Sequence, residues 1–325
     1  MIRFFKSPQP AALIVIPFIV LILWGQRAMN MPVSHDETVM PLWGLIAGFM
    51  ETMPSFLRFL IFGGMISLQA IYLNLLLNKH EVLYKNSYLP SLCFVLVISA
   101  SATFLEIHPV HVVNLIFLRV FDKIFSLFKN ESPVKGLFDS AFLLAIAALI
   151  YLPALPVYIL LLLAVSLLRP FSSREWLVML IAFFLPYFFV SVYFFWKQQL
   201  IVFWKEYIGK FKHLWPQLNL VISPAEQVLL VVMGALLLFS LVKLRSNYFK
   251  NIIRTRTYQQ IVFFFLLING AAILLIHKIA WIHFVSLSIP LAVFYAYYFV
   301  SAKKRLWAAE LMLWIFIGAV LWNHF

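Results

Sequence analysis

The tripeptide His35-Asp36-Glu37 sets two adjacent carboxylates beside an imidazole, directly after the first long apolar run of the chain. Acidic residues are scarce, 12 in 325, so this pair stands out from an overwhelmingly apolar background. A carboxylate in a partly desolvated setting has its pKa drawn toward neutrality and can take the proton of an acceptor hydroxyl, while neighbouring cations stabilise charge on a departing phosphate. Asp36 and Glu37 are therefore the candidate catalytic residues. The alternative is that they only solvate the exit of a membrane helix.

Further polar residues fall near the ends of apolar runs on the same expected side of the membrane. With His35, the candidate substrate-binding set is Arg58, Glu106, His108, His111, His277 and Lys278; Glu51, Glu226 and His283 share that side. Asp36 and Glu106 are the ligand types that hold a divalent cation such as Mg or Mn. His108 and His111 stand at i, i+3 with Pro109 between them, and no His-x-x-x-His pair occurs, so a zinc-type site has little to build on and the residues specify no cofactor. Arg119 and Asp122, one helical turn apart, read as a structural ion pair on the opposite side.

The elements that must position these residues follow from composition. The chain is 64% hydrophobic and 11% charged, whereas soluble domains are about 45–50% apolar with roughly a quarter of residues charged. Continuous apolar runs, not alternating ones, predict an all-α polytopic membrane protein, because helices satisfy their own backbone in lipid. Eleven transmembrane helices are expected at about 10–28, 55–78, 88–106, 111–128, 136–152, 155–168, 176–196, 226–243, 259–277, 280–300 and 306–322. The first is expected to be an uncleaved anchor, since no small-x-small cleavage site follows it.

The net charge of +13 is an orientation signal and not a nucleic-acid footprint. With the N-terminus inside, 17 of the 25 basic residues fall in inside loops, including Lys79, Lys123, Arg169 and the Lys243 to Arg256 cluster. The expected location is a bacterial inner membrane, with the C-terminus outside. Cys93 is the only cysteine, so an intramolecular disulfide is excluded.

No hydrophilic stretch is long enough to fold by itself, so residues 1–325 form a single transmembrane domain. Two outside segments are expected to hold interfacial helices: the first outside loop, at 41–50, and a stretch near 197–222 whose Leu200, Trp204, Tyr207, Ile208, Phe211 and Trp215 make an apolar face turned to lipid. No internal repeat is evident, which argues against an inverted-repeat transporter.

The middle of the chain runs from Gly136-Leu137-Phe138-Asp139 through Leu152-Pro153 into a second apolar span, then Leu168-Arg169-Pro170, Arg174-Glu175-Trp176 and Pro186-Tyr187. This layout, over residues 1–200, resembles the central module of GT-C integral-membrane glycosyltransferases, with 201–325 adding C-terminal helices. Those enzymes also carry an acidic residue or pair in the first outside loop, where His35-Asp36-Glu37 stands. The Arg-Pro-Phe and Arg-Glu-Trp pieces look like those of an uncharacterised group of multi-pass Bacteroidota membrane proteins, which carries no function to transfer.

The GT-C resemblance implies sugar transfer from a polyprenyl-phosphate carrier to an envelope acceptor on the outer face. In it, Asp36 is foremost, Glu37 stands beside it, and Glu106 to His108 support them. The implied partners are the lipid-linked donor, membrane lipids and envelope-assembly proteins, with no nucleic acid. A non-enzymatic scaffold subunit of an envelope-assembly or secretion complex is the second expectation, and a transporter the third.

Overall fold

A computed structural model describes residues 1–7, 10–34, 40–210, 222–274, 276, 278–302 and 306–324. The chain forms α1 (Ile2–Lys6), α2 (Ala11–Trp24), α3 (Pro41–Glu51), α4 (Ser55–Lys79), α5 (Leu89–Ile98), α6 (Pro109–Phe125), α7 (Val134–Ile150), α8 (Val157–Leu168), α9 (Ser173–Trp196), α10 (Leu200–Gly209), α11 (Pro224–Asn247), α12 (Ile253–Ile273), α13 (Ser288–Ser301) and α14 (Leu306–Trp322). It is all-α: no strand occurs among the described residues, only an isolated parallel bridge between Val33 and Ile107. Among the described residues, four helical stretches are long and apolar enough to cross a membrane: Ser55–Lys79, Ser173–Trp196, Pro224–Lys250 and Trp281–Ser301.

Local chemistry sets the starts of key helices. Pro109 opens α6 behind His108, whose Nδ1 accepts the Val110 amide at 3.2 Å. Ser223 and Glu226 cap α11 reciprocally, each side chain accepting the other's backbone N–H, at 3.2 and 2.9 Å.

The centre of the bundle is the pair α5 and α13. Every residue of α5 is buried, as is every residue of α13 except Tyr298. Helices α2, α4, α11 and α12 pack on this pair, α7 packs between α6 and α9, and α14 lies against α11. The outermost helices, α9 and α11, leave Phe184, Phe188, Phe189, Leu238 and Phe239 exposed, the surface a lipid-facing helix presents.

Hydrogen bonds between elements gather the helix ends into two opposite groups. One joins the end of α2 to the 99–108 segment and α11: Trp24 Nε1 donates to Ser99 Oγ at 2.8 Å, Arg27 to Ala102 O at 3.3 Å, and Ser101 Oγ to Glu226 Oε1 at 3.2 Å. The other joins the end of α4 to α6 and α12: Lys79 donates to Asp122 at 2.8 Å, Tyr258 to Phe125 O at 2.6 Å, and Gln259 to Val82 O at 3.1 Å.

Three expectations need correction in detail. The span expected at 88–106 stops as an α-helix at Ile98, because the Ser99–Ser101 stretch breaks it and Ser101 caps a short 3₁₀ turn over 102–104. At ten residues, or ~15 Å, α5 is a buried half-length helix. On α10, Phe203 and Tyr207 face the protein and are buried, while Trp204 packs against both, so the face expected in lipid is partly turned inward; Phe211 and Trp215 lie outside the described residues. Arg119 bonds Tyr72 Oη at 3.1 Å, while Asp122 takes Lys79 as its ion-pair partner and a hydrogen bond of 2.8 Å from His80. The short helix after the first span forms as α3, with Trp43 and Ala47 buried and Leu45 and Phe49 exposed.

Candidate functional site

His35, Asp36, Glu37 and His277 lie outside the described residues. The described residues flanking 35–39 are both tied down. Ser34 N donates to Ile107 O at 3.0 Å and Ile107 N donates to Pro32 O at 2.9 Å, so the chain entering the segment runs beside Glu106-Ile107-His108. Met40 N donates to Ile150 O at 3.4 Å, so the chain leaving it is held at the end of α7.

The residues that follow these anchors, His108 after Ile107 and Tyr151 after Ile150, meet in the interior. Tyr151 Oη and His283 Nδ1 share a hydrogen bond of 2.9 Å. The His108 ring stands edge-on to both, with centroids 5.6 Å from Tyr151 and 5.4 Å from His283. All three side chains are buried.

The elements hold this cluster by ordinary means. His108 is the N-cap of α6, Tyr151 ends α7 in extended backbone, and His283 rides on the 3₁₀ turn Trp281–Leu287, which packs on α6, α12 and the 102–104 turn. Because His108 Nδ1 accepts the Val110 amide, its proton sits on Nε2 and the ring is neutral in this arrangement. A neutral imidazole N–H and a phenol are the donors that stabilise a developing phosphate or alkoxide charge without burying a fixed cation.

The other sequence candidates divide. His111 lies one turn below His108 on α6, fully buried; its Nε2 donates to Phe104 O at 3.1 Å, and Trp24 stands edge-on at 5.7 Å. It packs against Phe104 and Trp24 rather than joining the Tyr151 cluster. Glu106 is half-buried two residues before His108, and Lys278 is exposed between the buried Ile276 and Ile279. Arg58 donates to Ser55 Oγ at 3.0 Å, one turn earlier in α4, and no described contact joins it to the cluster. Among the described residues, no group of three His, Cys, Asp or Glu side chains is arranged to hold a metal ion.

Tyr151 is the member sequence reasoning missed. Its only local signal is position: a tyrosine closing an apolar span directly ahead of Leu152-Pro153, where a phenol leaves the helix end with its hydroxyl available to a distant partner.

The opposite end of the bundle carries a structural network. Arg169 donates to the carbonyls of Leu127, at 3.3 Å, and Asn130, and its guanidinium stands 3.4 Å from Glu175. Lys123 pairs with Asp139 at 2.7 Å and Arg254 pairs with Glu81. Comparison with known proteins returns no matching family model, no matching curated protein and no matching solved structure.

Proposed function

We propose that this chain is an inner-membrane glycosyltransferase of the GT-C type, moving a sugar from a polyprenyl-phosphate carrier to an envelope acceptor at the His108 end of the bundle. The observation that carries the reading is the double anchoring of the segment 35–39: its described flanks bond the residues immediately before His108 and Tyr151, two members of one buried cluster. In the reaction, the acceptor oxygen bonds the anomeric carbon as the bond from that carbon to the carrier phosphate breaks. The acceptor proton passes to Asp36 or Glu37, and the cluster donors stabilise the phosphate that leaves.

The eleven-crossing topology belongs to the same reading, with the Asp122 end in the cytoplasm. Alternating helix ends and the basic residues at that end support it. The deciding experiment is the Asp36→Asn/Glu37→Gln double variant, assayed for transfer from a polyprenyl-phosphate sugar pool in membranes. Full activity would refute the assignment.

A scaffold subunit is the second reading, favoured by the exposed aromatic face of α9, where Phe184, Phe188, Phe195 and Trp196 stand out of the bundle. Co-purification of an intact envelope complex with the inactive double variant would favour it.

A further inference from the structure

The end of the bundle opposite His108 holds a groove of about 760 Å³, lined by Phe128, Lys129, Lys250, Ile252, Arg254 and Arg256 among others. It adjoins a second hollow of about 330 Å³ that shares Lys250, Asn251 and Ile252 and adds Lys85. The geometry points to a binding site for the phosphate of an anionic phospholipid.

Charge is the first argument. The four cations of the groove come from three separate pieces of chain: Lys129 follows α6, Lys250 closes the turn after α11, and Arg254 and Arg256 belong to the start of α12. No carboxylate lines the groove among the described residues, and Glu81 at the border of the second hollow is engaged by Arg254. Lys129, Lys250 and Arg256 therefore converge without compensating negative charge, an arrangement that a bound anion relieves.

Backbone geometry is the second. Three described non-glycine residues have positive φ, and two of them, Glu81 at 54° and Lys129 at 55°, border these hollows. Such a conformation costs free energy and persists only where its surroundings hold it. Arg256 is oriented as well, its Nε donating to Asn251 O at 2.8 Å and its guanidinium lying 5.6 Å from the Tyr248 ring centre. That leaves its Nη edge to meet two phosphate oxygens.

The apolar residues identify a lipid and not a free anion. Phe249, Ile252 and Ile253 are 77%, 58% and 71% exposed, interleaved in sequence with Lys250 and Arg254. Free phosphate gains nothing from such a surface. A phospholipid places its headgroup among the cations and its acyl chains along these side chains, as the interface of a bilayer requires.

This site does not depend on glycosyl transfer, and its test is made in detergent, where membrane sidedness does not enter. The full chain in a neutral detergent is titrated with short-chain phosphatidylglycerol, short-chain phosphatidylcholine or inorganic phosphate, following the unfolding temperature and the lipid retained in native mass spectra. Saturable stabilisation by phosphatidylglycerol alone is expected, with affinity falling roughly tenfold or more in Lys129→Gln/Lys250→Gln, two exposed positions. Lys129→Arg/Lys250→Arg keeps the charge and should keep the binding, which separates lost affinity from misfolding. Equal responses to both lipids, undiminished binding by the Gln variant, or stabilisation by inorganic phosphate as strong as by phosphatidylglycerol would each overturn the proposal.

Discussion

Tyr151 Oη and His283 Nδ1 meet at 2.9 Å across 132 residues of sequence, fastening the end of α7 to the turn that leads into α13. The bond is buried, so deleting the hydroxyl costs the interaction and disturbs the histidine it orients.

Tyr151→Phe should lower stability by about 1–3 kcal/mol, the range for breaking a buried hydrogen bond. Thermal unfolding in detergent measures it. A double-mutant cycle with His283→Gln should show that the two effects are coupled and do not simply add. Additive losses would mean the two side chains act separately.

Asp36→Asn and Glu37→Gln should differ from one another. Adjacent residues of a helix or extended chain point in different directions, so one carboxylate faces the reacting centre and its loss lowers turnover by about 10²–10⁴-fold, while the other is milder. Both keep side-chain volume, so equal expression and insertion are expected. Two equal, small losses would assign the pair to solvation of the helix end.

Stability should fall as the solution is acidified below neutrality, and His80 should carry part of the effect. Burial holds its pKa below the ordinary 6.5, outweighing the hydrogen bond to Asp122, so the ring is neutral and donates from Nε2 at 2.8 Å. In the unfolded chain it titrates at the ordinary value. Between that value and the lower native one the unfolded state binds more protons, so stability present above pH 6.5 is lost as pH falls through that window. His324, also held low by burial, adds with the same sign. Unfolding temperatures between pH 7 and 5 should slope less steeply in His80→Gln/His324→Gln, and an unchanged slope would remove both groups from the account.

Arg169→Lys should not rescue Arg169→Ala. The guanidinium reaches two carbonyls, of Leu127 and Asn130, together with the Glu175 carboxylate, a fork an ammonium cannot reproduce. A loss of about 1–3 kcal/mol is expected in either variant, with protease cleavage of the 126–133 turn as a local readout. Wild-type resistance in Arg169→Lys would show that charge alone suffices.

Lys250 and Lys278 are both exposed, at opposite ends of the bundle. In the eleven-crossing reading, Lys278→Cys reacts with an impermeant thiol reagent on intact cells, whereas Lys250→Cys reacts only after the membrane is opened. The native Cys93 is fully buried and should stay silent. The reverse pattern would invert the topology.

Much of this architecture is legible in the sequence. All eleven apolar stretches carry helix, because a backbone shielded from water must close its own hydrogen bonds. The basic residues Lys79, Lys123, Arg169 and Arg254 do share one end, where Asp122, Asp139 and Glu81 receive three of them. The place of His108 at the edge of a span is legible too, since Pro109 directly after it opens α6. Tertiary structure alone decided the rest. Helices α5 and α13 are apolar on every side, so no periodicity marks them as the centre of the bundle. Nor does any local spacing record that His283 would meet Tyr151 and not His111, since that contact depends on which helix ends pack together across the bundle.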